Sequence, residues 1–399
     1  MGSDRLLDAA TLIGNHIAQQ AFSTEHGCFW LSQELVPSPN GGSIVVRSSS
    51  FDLYGGATGV ALFLADLAAA TGDRAFKEIA IQAMHYSYWL AEVDIAHKSI
   101  GLFDGITGLG LASIIIGDLC SEPHLIEKGH VFLSGAIRES SLTDLDVISG
   151  VAGILVGLVS ASSVTGTGEY HPAISKLANR LMESAGNLLR ADPGTRRLTG
   201  YSHGVSGIAL ALLESQNHIG HREFDEIVGK LFHWENRTYD PHAKNWRDLR
   251  SGDASVPAFA LAWCHGGPGI VMSQLRAAEL GLRGLDAFNL QALDGLLDSV
   301  WPLIGSGHDQ TLCHGLSGIG SIMRYAGERL NHAGSLTAAR TILSNVCDAV
   351  ENKNIVTPFG SKTFTAQLMT GYAGIGMYLL RSAGKSMSPT PLHFCMRNG

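Results

Sequence analysis

The sequence is poor in cysteine, proline and charge: six Cys, twelve Pro and 16% charged residues in 399. Each scarcity excludes a class. Six thiols over this length, Cys28, Cys120, Cys264, Cys313, Cys347 and Cys395, are too sparse for a disulfide scaffold. Cys120 and Cys347 lie in apolar helical contexts and read as core thiols, while Cys28 and Cys395 carry no evident chemistry. No apolar run reaches membrane length and no signal-peptide pattern opens the chain, so a cytoplasmic protein without membrane insertion is expected. A net charge of -8 has the wrong sign for a nucleic-acid partner. No Pro/Ser-rich linker or charge block divides the chain, and residues 1–399 are read as one domain.

Glycine, by contrast, is abundant and ordered. A Gly-x-x-Gly turn followed by an apolar run recurs seven times, beginning at Gly56, Gly105, Gly150, Gly204, Gly266, Gly315 and Gly371, with spacings of 45 to 62 residues. The runs, such as Val60 to Ala65 and Ile208 to Leu213, are apolar nearly all round, which predicts helices buried on every side. Between them lie amphipathic segments, for example Pro172 to Ala191 and Leu336 to Val350, suited to an outer layer. With the segment near Arg5 to Ala21, seven outer helices can pair with seven inner ones. The expected fold is all-α, an α,α-toroid with a continuous core.

The residues just before each glycine pair carry the chemistry. They read Tyr54-Gly55, Phe103-Asp104, Ile148-Ser149, Ser202-His203, Cys264-His265, Cys313-His314 and Met369-Thr370. If the inner helices run parallel, all of these meet at one mouth of the barrel. A histidine at a helix start is ordinarily a polar neighbour of unpaired N–H groups. Two Cys-His pairs in the same repeat register are a different matter. Two thiolates and an imidazole match the softness zinc prefers, and three protein ligands leave a fourth position open. Spacing alone leaves both His265 and His314 as candidates for the third ligand.

These motifs resemble the lanthionine synthetase C family of lanthipeptide cyclases. The resemblance rests on Trp263-Cys264-His265-Gly266-Gly267-Pro268-Gly269, Cys313-His314-Gly315, Ser202-His203-Gly204 and Gly371-Tyr372-Ala373-Gly374-Ile375-Gly376, and runs through nearly the whole chain. The stretch Asn245 to Arg250 is similar to cyclase domains of fused synthetases. The resemblance implies one Zn2+ held by Cys264, Cys313 and His314, and addition of a peptide cysteine thiol to dehydroalanine or dehydrobutyrine in a dehydrated precursor peptide, giving a (methyl)lanthionine ring. A free thiol with a pKa of about 8.5 is mostly protonated near neutrality, and coordination removes that proton. By motif position, His203 corresponds to a family acid/base histidine and Asp146 to a family aspartate that orients or assists in catalysis. His265 stands where some members have tyrosine and reads as a second proton carrier.

One departure is plain: separately encoded cyclases carry an arginine shortly before the Trp-Cys pair, where this chain reads Ala258 to Ala262 without charge. Arg250 or Arg247 could reach the mouth, although a solvated loop cation is the ordinary description of either. The glycine turns lack the lysine of a phosphate loop, so dehydration is expected from a dehydratase, a kinase/lyase protein or a further N-terminal domain. Two alternatives are a non-cyclising thiol or glutathione binder and a glycoside hydrolase. The latter needs paired carboxylates, for which Asp104 and Asp146 are the obvious candidates.

Overall fold

The computed structural model describes residues 2–38, 41–93, 99–140, 144–191, 197–220, 224–250, 258–361 and 363–396. Among these described residues fourteen α-helices alternate between two layers. The outer layer holds α1 (Ser3–Gln19), α3 (Arg74–Val93), α5 (Pro123–Glu139), α7 (His171–Arg190), α9 (Asp225–Asn236), α11 (Asp286–Val300) and α13 (Ala333–Glu351). The inner layer holds α2 (Ala57–Thr71), α4 (Ile106–Cys120), α6 (Val151–Thr165), α8 (Val205–Ile219), α10 (Gly267–Glu279), α12 (Leu316–Leu330) and α14 (Tyr372–Ser382). The seven-plus-seven toroid read from the repeats is the fold. No helix among the described residues is long and apolar enough to cross a membrane.

Burial follows the sequence pattern. Every residue from Val151 to Ser162 of α6 is buried, as an inner helix with no solvent face requires. In α7 only Ile174, Leu177, Ala178, Leu181, Ala185 and Gly186 are buried, a stripe at three- and four-residue spacing. Helices α2, α6 and α8 stop at Gly72, Gly166 and Gly220, each in the left-handed region with its N–H returned to the last turn.

The glycine pairs have a geometric cause. At the second glycine of every copy, a Cβ would collide with the carbonyl oxygen six residues earlier, from Leu53 below Gly59 to Leu368 below Gly374. The turn doubles back so closely that no side chain fits. In six copies the first helical N–H also bonds the carbonyl seven residues earlier, as Val151 does to Asp144 at 3.1 Å.

These turns are joined into a closed circle of backbone hydrogen bonds. Tyr54 N–H donates to Phe103 O (2.8 Å), Phe103 to Ile148 (3.0 Å), Val147 to Ser202 (3.0 Å) and Ser202 to Cys264 (3.0 Å). Trp263 N–H then donates to Cys313 O (3.1 Å), Cys313 to Met369 (2.8 Å) and Met369 back to Tyr54 (3.0 Å). All seven inner helices therefore start at the same end.

Two features lie outside the helical pattern. Short antiparallel hairpins pair β1 (Phe22–Thr24) with β2 (Gly27–Phe29), β3 (Leu31–Ser38) with β4 (Gly41–Ser48), and β5 (Tyr239–Asp240) with β6 (Asn245–Trp246). The β-branched run Ile44-Val45-Val46 favours the longest of them. Second, residues 386–396 thread among the inner helices. Ser386 and Ser388 hydroxyls donate to Asp66 on α2 (2.6 and 2.7 Å), Ser160 of α6 donates to Phe394 O (2.9 Å), and His393 Nε2 meets Glu214 of α8 at 3.0 Å.

The collision at the second glycine predicts a cost for filling it. Gly153→Ala should lower stability by about 1–3 kcal/mol, the usual penalty for overpacking. At Gly135 of α5 a Cβ meets only Ile106 and Arg138 side-chain atoms at 3.6 and 3.9 Å, so Gly135→Ala should raise stability by up to about 1 kcal/mol. Circular-dichroism melts at one scan rate check the opposite signs.

Candidate metal centre and active site

The mouth of the barrel is built by the residues that lie in the hydrogen-bonded circle. Cys264 and Cys313 contribute backbone groups to it, so their side chains start from fixed points. The copy bearing Cys264 departs from the other six. Gly267 N–H bonds the Asn245 side-chain oxygen (3.0 Å) instead of a carbonyl seven residues back, and Asn245 Nδ2 donates to Ala260 O (2.9 Å). Gly266 takes φ +101°, and a Cβ there would strike Ala260 O, so this turn requires glycine twice over. Asn245 thus clamps the turn that presents Cys264 and His265.

The ligand atoms of Cys264, Cys313 and His314 all lie within 4.8 Å of one another. His265 is not in that set; it is buried and turned toward Ser202 and His203. Cys313 Sγ and His314 Nε2 stand 3.6 Å apart. Zn–S and Zn–N bonds of about 2.3 and 2.0 Å at a tetrahedral angle would separate the two donors by about 3.5 Å. The donor types and this separation fit a metal of borderline softness. Both sulfurs are buried, His314 lies at the exposed rim, and all three line a cavity of about 660 Å³.

The electrostatics of the trio favour a cation. Hydrogen bonding from Cys313, with His314 close by, holds the Cys264 thiol well below the ordinary thiol range. Burial, with the Cys264 charge beside it, pushes Cys313 well above that range. The two sulfurs therefore share one proton. Although His314 is exposed at the rim, partial desolvation of its ring works against a charge, yet Cys264 and Asp309 raise its pKa. A dication bound here would take the place of the protons these three groups hold.

His203 lines the same cavity; its Nδ1 lies 2.7 Å from Asp146 Oδ2, and Asp146 Oδ1 accepts the Ser149 N–H at 2.9 Å. Burial disfavours the Asp146 charge, but His203 and backbone N–H groups outweigh it and lower its pKa. In turn, the Asp146 hydrogen bond raises the His203 pKa against burial. The pair is therefore fully charged between the depressed Asp146 range and the raised His203 range, and loses its ionic character outside that window. His265 stacks on His203, centroids 5.7 Å apart and planes at 21°. Ser202 Oγ donates to Cys264 O (3.0 Å), so it can accept from His265 Nε2 at 3.4 Å. That leaves the His265 Nδ1 lone pair buried without a partner, and burial lowers the pKa of this ring. Two stacked imidazoles are thus biased in opposite directions.

Of the two nearby cations, Arg250 lines the cavity, held by Asp248 through Nε (3.0 Å) and Nη2 (2.6 Å), whereas Arg247 pairs with Asp240 at 3.3 Å and is half exposed. Asp104 accepts hydroxyls from Ser99 (2.9 Å) and Ser149 (2.8 Å), and burial raises its pKa. Three contributors to the mouth had no assigned part in the sequence reading. Tyr54 OH donates to Cys313 Sγ at 3.0 Å, Gln33, Glu34 and Ile44 of the β3–β4 hairpin reach the rim, and Phe359 lies with them. Tyr54 shares the repeat position of the two cysteines, which was its available signal.

A ring of paired helices with a cysteine-histidine cluster at one mouth is an α,α-toroid with a candidate metal centre. The sequence matches the lanthionine synthetase C-like protein family over residues 47–394, and the chain belongs to that family. It is 26% identical over 245 residues to the lacticin 481/lactococcin biosynthesis protein LcnDR2 of Lactococcus lactis subsp. lactis, a match covering 59% of this chain and 25% of that protein. The chain thus spans about a quarter of the curated relative's length. Among solved structures it resembles nisin cyclase with a TM-score of 0.65 and 19% identity, covering 84% of this chain and 89% of that one.

The His203–Asp146 geometry makes a direct prediction. In an NMR titration the His203 ring should change charge above the ordinary imidazole value of about 6.5. Asp146→Asn should bring that midpoint down; an unmoved midpoint would show that the carboxylate does not hold the proton on the ring.

Proposed function

We propose that this chain is a zinc-dependent lanthipeptide cyclase, with residues 1–399 acting as one catalytic unit on a dehydrated precursor peptide supplied by a dehydrating enzyme or domain. One observation carries the reading: Cys264, Cys313 and His314 converge on the same cavity as the charged His203–Asp146 pair. The first set suits activation of a thiol and the second suits delivery of a proton. Ring formation needs both.

Zinc held by Cys264, Cys313 and His314 would lower the pKa of a substrate thiol and hold the sulfur at the mouth. The remaining steps belong to the protein. The cavity receives the peptide so that the thiolate sulfur faces the β-carbon of the dehydro residue. As the C–S bond forms, the alkene π pair moves onto the neighbouring amide as an enolate. His203, kept protonated by Asp146, gives its proton to the α-carbon, and Asp146 holds the ring by Nδ1 so that Nε2 is the nitrogen free to act. The balance is addition of S–H across C=C, with no change in mass. His265, neutral and with its Nδ1 enclosed, has the secondary part of a second proton carrier stacked on His203.

Elemental analysis of purified protein should find one zinc per chain, lost in Cys313→Ala together with thiol consumption on a dehydrated peptide. Zinc present without thiol consumption would favour a thiol-binding relative instead. His203→Asn should keep its zinc and slow cyclisation by ~10²–10⁴, the usual worth of a positioned acid. Because the acid must be protonated, the rate should fall as pH rises through the elevated His203 midpoint, and Asp146→Asn should move that decline to lower pH.

A further inference from the structure

Tyr54 touches a candidate ligand sulfur and has no part in the proton transfer. It occupies, in the first copy of the repeat, the position that supplies Cys264 in the fifth and Cys313 in the sixth. Closure of the toroid brings the first copy round to the last ones, and the phenol meets a sulfur 259 residues away at 3.0 Å. The Tyr54 backbone is held on both sides, its N–H by Phe103 O (2.8 Å) and its carbonyl by Met369 N–H (3.0 Å). Its ring stands edge-on to Phe103, centroids 6.4 Å apart. The donor is therefore aimed by the scaffold.

We propose that Tyr54 is a positioning residue for the metal: its hydroxyl draws electron density from the Cys313 sulfur and so tunes how strongly the bound cation polarises an incoming thiol. The inference rests on the zinc reading above. With two thiolates and a neutral imidazole, a dication site has no net charge, and a substrate thiolate adds one negative charge. A hydrogen bond to sulfur disperses part of that charge, and groups that hydrogen-bond to metal ligands commonly change affinity or activity 10–100-fold. Among the described residues no hydroxyl donates to Cys264 Sγ; the groups that hydrogen-bond to it, Cys313 and His314, are themselves the other two candidate ligands. The two sulfurs are therefore inequivalent as donors.

The test uses the full chain loaded with Co2+, whose sulfur-to-metal charge-transfer absorption reports the electron density on the ligating thiolates. Tyr54→Phe keeps the ring and removes only the donor. The band should move to longer wavelength as the Cys313 sulfur regains electron density. A fluorinated tyrosine at the same position, a stronger donor, should move the band the other way. A phenylalanine variant that binds Co2+ with the wild-type band overturns the proposal while leaving the metal centre standing, even if turnover falls, since the phenol would then act on substrate. Wild-type protein that binds neither Co2+ nor Zn2+ overturns the metal reading and this inference with it.

Discussion

Seven backbone hydrogen bonds, each between neighbouring copies of the repeat, decide where every functional atom at the mouth can be. A single such bond contributes only about 1 kcal/mol net, so the circle matters less as a store of stability than as a geometric closure. It joins residues that are 45 or more positions apart and gives each the same relation to the helix it precedes. Buried backbone N–H and C=O groups in these turns must find partners, and neighbouring turns are the partners within reach. Closure in turn demands the close approach that only glycine at the second position permits. The glycines, the parallel inner helices and the convergence of Tyr54, Ser202, Cys264 and Cys313 are one constraint seen at different scales.

The mouth divides into two electrostatic halves. On one side two sulfurs share a proton beside an imidazole of raised pKa, and on the other an imidazole is kept charged by a carboxylate. His265 stands between them, adjoining Cys264 in sequence and stacked on His203 in space. Its burial lowers its pKa, so it puts no second positive charge against His203. Paired groups whose environments push their pKa values apart can hold different protonation states within one site at one pH.

Much of this was legible in the chain because the repeat writes the same geometry seven times. Glycine spacing located every inner helix, and apolar periodicity separated α6 from α7 by burial before any coordinate was needed. His203, Asp146 and His314 were named through the family resemblance; the pairing of His203 with Asp146, and the placing of His314 and not His265 beside the sulfurs, depend on how each turn is tilted, which periodicity does not record. The Asn245 clamp acts through a side chain 22 residues before the helix it caps, a substitution for the usual backbone bond that only the fold reveals. The β3–β4 hairpin and the 386–396 segment escaped for another reason: each occurs once, and a reading built on repetition passes over what is not repeated.

That last segment shows how the floor of the site is fixed. Trp263, immediately before Cys264, donates its indole N–H to Leu392 O at 2.9 Å. Tyr201, two residues before His203, donates its hydroxyl to His393 Nδ1 at 2.7 Å, and His393 Nε2 then bonds Glu214, which Arg276 holds by its Nε at 2.7 Å. Each half of the mouth is thus anchored through a buried aromatic side chain to the same strand of backbone. Tyr201 and Trp263 also pack on one another, centroids 5.3 Å apart. A satisfied polar network in a low-dielectric interior is strong and rigid, and an unsatisfied one is costly. The sulfur cluster and the His203–Asp146 pair therefore stand on a common footing beneath the cavity, so their mutual distance is set by the core.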